Sequence, residues 1–211
     1  MSITQSRPTQ VAERRSAPRA AGPFPATPDS RVVVGDVLVW LAGLGLGVVV
    51  AIELLTRTAV SGPGALLTEA GRWTALVGTY ASLLLLVLVA RVPLLERSVG
   101  MDRLMSWHRK IGPIALLLIA AHVVLTTLGY ASSTAVSWLA QMWDFATVYP
   151  WMLPAMAGFV LMLVGGFTSW RVARRRMKYE TWWVTHLYFY LAIALAYLHQ
   201  VLYGQQFVGH A

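Results

Sequence analysis

The sequence predicts an all-α membrane protein, a bundle of about five transmembrane helices. Three observations predict it. Of its 211 residues, 57% are hydrophobic and 12% are charged, where a soluble domain would carry about 25% charge. Five apolar stretches follow one another, each near the roughly 20 residues that cross a hydrocarbon core. The basic residues gather in alternate connections between those stretches.

Residues 1–31 are polar and rich in Pro, Ala and Arg, with no apolar period. They read as a disordered tail. They are too long and too Pro-rich for the first region of a signal peptide, and the apolar run that follows is long enough to span. The five spans are expected at about 33–54, 73–92, 107–129, 150–170 and 182–203, within one membrane domain, 32–211. Tryptophan marks several ends (Trp73, Trp107, Trp151, Trp170, Trp182, Trp183), as in an aromatic belt. Asp36, close to the start of the first span, suits the interface and the positive end of a helix. The third connection, 130–149, carries Trp138, Leu139, Met142, Trp143 and Phe145. It reads either as a short interfacial helix or as an ordinary apolar loop.

Charge sets the expected orientation. Arg7, Arg14, Arg15, Arg19 and Arg31 lie in the tail. Arg91, Arg97, Arg103, Arg109 and Lys110 lie in the second connection, and Arg171, Arg174, Arg175, Arg176 and Lys178 in the fourth. Of the 17 basic residues only Arg57 and Arg72 fall on the other side. The positive-inside rule then puts the N-terminus in the cytoplasm and the C-terminus outside. The net charge of +8 reports topology, not nucleic-acid binding.

Four histidines carry the chemistry. His108 and His122 stand 14 apart in the third span, and His186 and His199 stand 13 apart in the fifth. Ionisable groups at membrane depth are costly and usually mark function. Each pair spans roughly 20 Å along its helix. If the helices are parallel, His108 faces His186 and His122 faces His199. Two stacked bis-imidazole sites in a helical bundle suit two haem irons. The chain has no cysteine, which excludes disulfides, Fe–S clusters and covalent c-type attachment. The haems expected are therefore of the b type. Arg109 and Lys110, next to His108, are available for haem propionates. Small residues near the histidines (Gly112, Ala115, Ala120, Ala121, Ala192, Ala194 and Ala196) leave room for a macrocycle, and equally permit close helix packing.

One point strains this picture. On an ideal helix 14 residues return to within about 40° of the starting face, but 13 leave the side chains roughly 140° apart. A π-bulge, or tilted macrocycles, would absorb the difference, and Pro113 is expected to kink the third span. His108 alone, beside a basic turn, reads as readily as an interfacial histidine. His210, in the C-terminal tail, is not expected to be a ligand.

At these residues the sequence resembles the ferric reductase-like transmembrane domain shared by ferric reductases and NADPH oxidases. The likeness rests on Arg91-Val-Pro-Leu-Leu-Glu96, on Gly100-Met-Asp-Arg-Leu-Met-Ser-Trp-His108-Arg-Lys-Ile-Gly112, and on His122. It continues in Arg174-Arg-Arg-Met-Lys-Tyr-Glu-Thr-Trp-Trp-Val-Thr-His186 and His199-Gln200. It covers about 33–210 and is greatest to bacterial members. The resemblance implies electron transfer from cytoplasmic NAD(P)H, through FAD, across two haems to an external acceptor such as ferric iron or dioxygen. His108, His122, His186 and His199 match the ligand positions. Arg72 resembles a basic residue that the family places near the outer haem.

The family pattern continues into a sixth span and, usually, a flavin dehydrogenase. Neither is found in these 211 residues, nor is any GxGxxG. The electron donor is therefore expected on a further segment or a separate chain. Two other readings compete: a haem b subunit serving a separate partner such as a periplasmic methionine sulfoxide reductase, and a transporter that uses the histidines without haem. Intramembrane Asp or Glu would favour the transporter, and the third and fifth spans hold none.

Overall fold

The computed structural model describes residues 30–56 and 61–203, and these are helical with connecting turns. The expected disordered tail lies outside the described residues, apart from positions 30 and 31, which open the first helix. Arg57 and His210 also lie outside them.

Five helices are long and apolar enough to cross a membrane: α1 (Ser30–Thr56), α2 (Ala65–Val89), α4 (Met101–Thr134), α6 (Met152–Ser169) and α8 (Tyr179–Tyr203). Between them come α3 (Pro93–Val99), α5 (Trp138–Thr147) and α7 (Arg171–Arg174). Large apolar side chains such as Trp40, Leu55, Leu66, Leu117 and Phe167 point outward, as a lipid-facing surface requires.

Two spans are longer than hydropathy suggests. α2 begins two turns before Trp73, because its polar residues turn inward: Thr68 is buried, and Glu69 and Arg72 pair with each other. α4 continues past Gly129 to Thr134, and its last turn is tied to the turn that leads into α2, the Ser133 hydroxyl donating to the Pro63 carbonyl at 2.7 Å. Its start at Met101 places Arg103, Arg109 and Lys110 on the helix, not in a connection. α4 stops at Ala135 in the left-handed region (φ 56°). Ser137 then caps α5, its Oγ accepting the Ala140 N–H at 3.2 Å. The third connection is therefore the short helix, with Trp138, Leu139 and Trp143 exposed and Phe145 buried.

The bundle is built from two tight helix pairs. α2 lies on α4 and α6 on α8 along much of their length, whereas α4 meets α6 briefly. Glycine permits both close approaches. A Cβ at Gly71 would stand 2.5 Å from Thr126 Oγ1, and one at Gly158 would stand 2.7 Å from the Ala192 carbonyl oxygen. α1 is fastened to the side by Tyr80 O–H donating to the Ala42 carbonyl (2.7 Å) and by the Arg103–Asp36 ion pair (3.3 Å). Gly158→Val should force α6 off α8. We expect a loss of about 1–3 kcal/mol, read as a lower midpoint when the detergent-solubilised protein is heated before gel filtration. Gly47→Val, where nothing lies within 4 Å, should not move it.

Candidate functional site

Parallel helices that start at the same level bring equivalent turns face to face. His108 is seven residues past Met101, the start of α4, and His186 is seven past Tyr179, the start of α8. Both therefore sit about 10 Å along their helices. The structure brings the two imidazoles together, with ring centroids 6.1 Å apart and planes at 68°.

The surroundings of His186 are aromatic and specific. Trp182, one turn earlier, stacks on it at 5.1 Å and 26°, and Phe189 leans on it at 5.1 Å. Ser169, the last residue of α6, places its Oγ 3.1 Å from His186 Nδ1. The Trp182 indole N–H donates to that same oxygen at 3.4 Å. Arg174 lies 3.8 Å over the Trp182 ring. Arg109 and Lys110, expected beside this pair, are exposed on α4, and no contact between them and the histidines is found among the described residues. The cation that the fold carries to this end of the stack is Arg174.

His122 and His199 form the second level. Both line one cavity of about 400 Å³ between the helix pairs. His122 is held on its Nδ1 side: the N–H donates to the Gly71 carbonyl at 3.0 Å, and Thr126 Oγ1 lies 3.2 Å from the same nitrogen. A carbonyl can only accept, so the neutral ring must carry its proton on Nδ1 and keep the Nε2 lone pair. Arg72 lines the same cavity, with Nη1 3.7 Å from Glu69 Oε2. That is beyond hydrogen-bond reach, and the buried Nη1 finds no hydrogen-bond partner among the described residues. α5 lies across the far end of the cavity, contributing Met142 and Phe145 to its wall. Phe145 packs edge-on between Tyr130 and Tyr149, at 5.5 and 5.4 Å.

The 13-residue spacing needs no bulge. α8 is α-helical throughout, with no π turn. Because α4 and α8 are not packed backbone to backbone, His186 and His199 can each lean roughly 70° to either side of the gap. α4 likewise runs unbroken through Pro113.

Several residues at the site escaped the sequence reading. Ser169 and Gly71 belong to it through contacts distant in the chain, and no local signal marks them. Trp182 stands one helical turn before His186, a spacing that the sequence shows, but by itself it reads only as a belt residue. Glu53 is different. It is 1% exposed inside α1, and the rule that singles out intramembrane histidines singles it out too. Among the described residues no cluster of three or more His, Cys, Asp or Glu is assembled.

The profile of the ferric reductase like transmembrane component matches residues 74–197, more than half of the chain. The chain belongs to that family. The match takes in His108, His122 and His186, while His199 lies two residues beyond its end. No curated protein and no solved structure matches the chain. Membership, with the five apolar helices, makes this an integral membrane protein and suggests an oxidoreductase.

Proposed function

We propose that this chain is the haem-bearing part of a transmembrane oxidoreductase. It passes electrons from a cytoplasmic flavin and NAD(P)H donor, through two b-type haems, to an external acceptor such as ferric iron or dioxygen. The observation that carries this reading is the pairing of four histidines at two levels between two separate helix pairs. A first-row metal bonded to two imidazole nitrogens at about 2 Å each holds the ring centroids roughly 6 Å apart. The 6.1 Å between His108 and His186 fits that spacing. At the second level, the Gly71 carbonyl leaves His122 Nε2 as a lone pair beside the cavity. Such an outer hydrogen bond is what orients a metal-binding imidazole.

His108 and His186 would hold the haem near the cytoplasm, and His122 and His199 the one near the outside. Bound haem supplies one-electron chemistry between ferric and ferrous iron. The protein's part is to fix the imidazoles, exclude water with apolar walls, and offer Arg72 and Arg174 as nearby positive charge. The alternating basic residues support a cytoplasmic N-terminus.

Pyridine haemochrome analysis of the purified, folded chain should give two non-covalent haems b per polypeptide, with sharp visible bands on reduction. Well below one haem per chain after full loading would sink the proposal and favour the transporter reading.

A further inference from the structure

The donor and acceptor routes leave one assembly unexplained. Ser169, Trp182 and Arg174 come from three different elements: the end of α6, the first turn of α8 and the short α7. All three converge on His186. Trp182 covers the face of the imidazole. Ser169 bridges the indole N–H and His186 Nδ1. Arg174 covers the indole. No equivalent stack is found at His122 among the described residues, where a backbone carbonyl and a threonine do the holding.

We propose that Ser169 and Trp182 are positioning residues for His186, and that Arg174 adds positive charge to the inner level alone. This rests on the haem reading above. Ser169 Oγ has lone pairs for two N–H donors. With the Trp182 indole on one and the His186 Nδ1–H on the other, the imidazole presents Nε2 toward His108. The stacked indole then stops the ring from turning about its own side-chain bond. Arg174 acts through charge. A cation near a redox centre favours the state that has gained an electron. An inner haem, taking one electron from reduced flavin as its iron goes from ferric to ferrous, would be easier to reduce with this charge than without it. A unit charge two stacking distances away, at an effective dielectric of about 20, shifts an equilibrium constant by up to roughly tenfold. Arg174 is exposed, so the effect should shrink at high salt.

The test uses the full chain, loaded with haem in lipid nanodiscs, and reads midpoint potentials and ferric electron paramagnetic resonance. Arg174→Gln should lower one of the two potentials, with a three- to tenfold fall in the reduction constant. Tenfold is about 59 mV for one electron. The other potential should stay in place, and Arg174→Lys should restore most of the shift at low salt. Trp182→Leu should broaden or move one of the two low-spin ferric signals, and Trp182→Phe should keep it. Variants with two haems and wild-type potentials and signals would overturn the proposal. A further measurement needs no haem: ¹⁵N shifts of His186 in the haem-free chain. Wild type should show a single Nδ1–H tautomer and Ser169→Ala a mixture. An unchanged tautomer would overturn the positioning role. Failure of wild type to bind haem would overturn the charge role together with the haem reading, and would leave the tautomer result to decide the role of Ser169.

Discussion

His108→Ala and His186→Ala should lose the same haem, and His122→Ala and His199→Ala should lose the other. The first pair of variants should keep about one haem per chain, and that haem should no longer receive electrons from a cytoplasmic donor. The second pair should also keep about one, which still reduces from the cytoplasmic side but cannot deliver to an external acceptor. The reason is depth. The two histidines of one helix stand roughly 20 Å apart, so no single macrocycle bridges them. On the proposed ligation each site would take one ligand from α4 and one from α8, so removing either would leave half a site. The 6.1 Å contact of His108 with His186, and the shared cavity of His122 and His199, make the partners specific. Haem content with optical spectra, and stopped-flow reduction in oriented vesicles, would read the outcome. If His108→Ala and His199→Ala shared a defect, the helices would run antiparallel and the pairing would fall. If all four variants kept two haems, ligation by these residues would fall with it.

The juxtaposition of His108 with His186, and of His122 with His199 on one cavity, was legible in the sequence because it depends on quantities the chain carries locally. The spacings of 14 and 13 fix the depth of each imidazole, and alternating arginines fix the parallel course of the third and fifth spans. The ends of the helices were less legible. Hydropathy discounts Thr68, Glu69 and Arg72, yet α2 includes them because Thr68 and Arg72 line a cavity and Glu69 pairs with Arg72. The choice of cation could not be read at all. Arg109 and Lys110 are neighbours of His108 in sequence, but on a helix the next two residues point about 100° and 200° away, and both are exposed. Arg174 is 12 residues from His186 and reaches its stack through a tertiary turn. Similarly, the residues that hold the rings, Ser169 for His186 and Gly71 for His122, lie 17 and 51 positions away. What a helix does to its own face is periodic and readable. What a second helix pair does to that face depends on packing.

NADPH should not reduce the haems of the purified 211-residue chain, while dithionite should reduce both at once. A nicotinamide gives up a hydride, two electrons and a proton together, whereas a haem takes one electron at a time. A flavin is the usual converter between the two. A common dinucleotide-binding unit is a strand–helix–strand of about 30 residues or more. The connections among the described residues are turns and the short helices α3, α5 and α7, with no strand among them. The described cavity, lined mostly by apolar side chains, lies at the level of His122 and His199, and the proposed orientation would put that level on the side away from a cytoplasmic nucleotide. Supplying a flavin dehydrogenase, fused or as a separate protein, should therefore raise NADPH-dependent haem reduction from the detection limit to a saturable rate. The gain should be lost in His108→Ala, because electrons arrive at the level nearest Arg174 and Trp182. It should persist for the inner haem in His122→Ala. Direct, saturable reduction by NADPH without an added flavoprotein would show that the chain binds the nucleotide itself, and the division between a haem-bearing membrane part and an external donor would have to be abandoned.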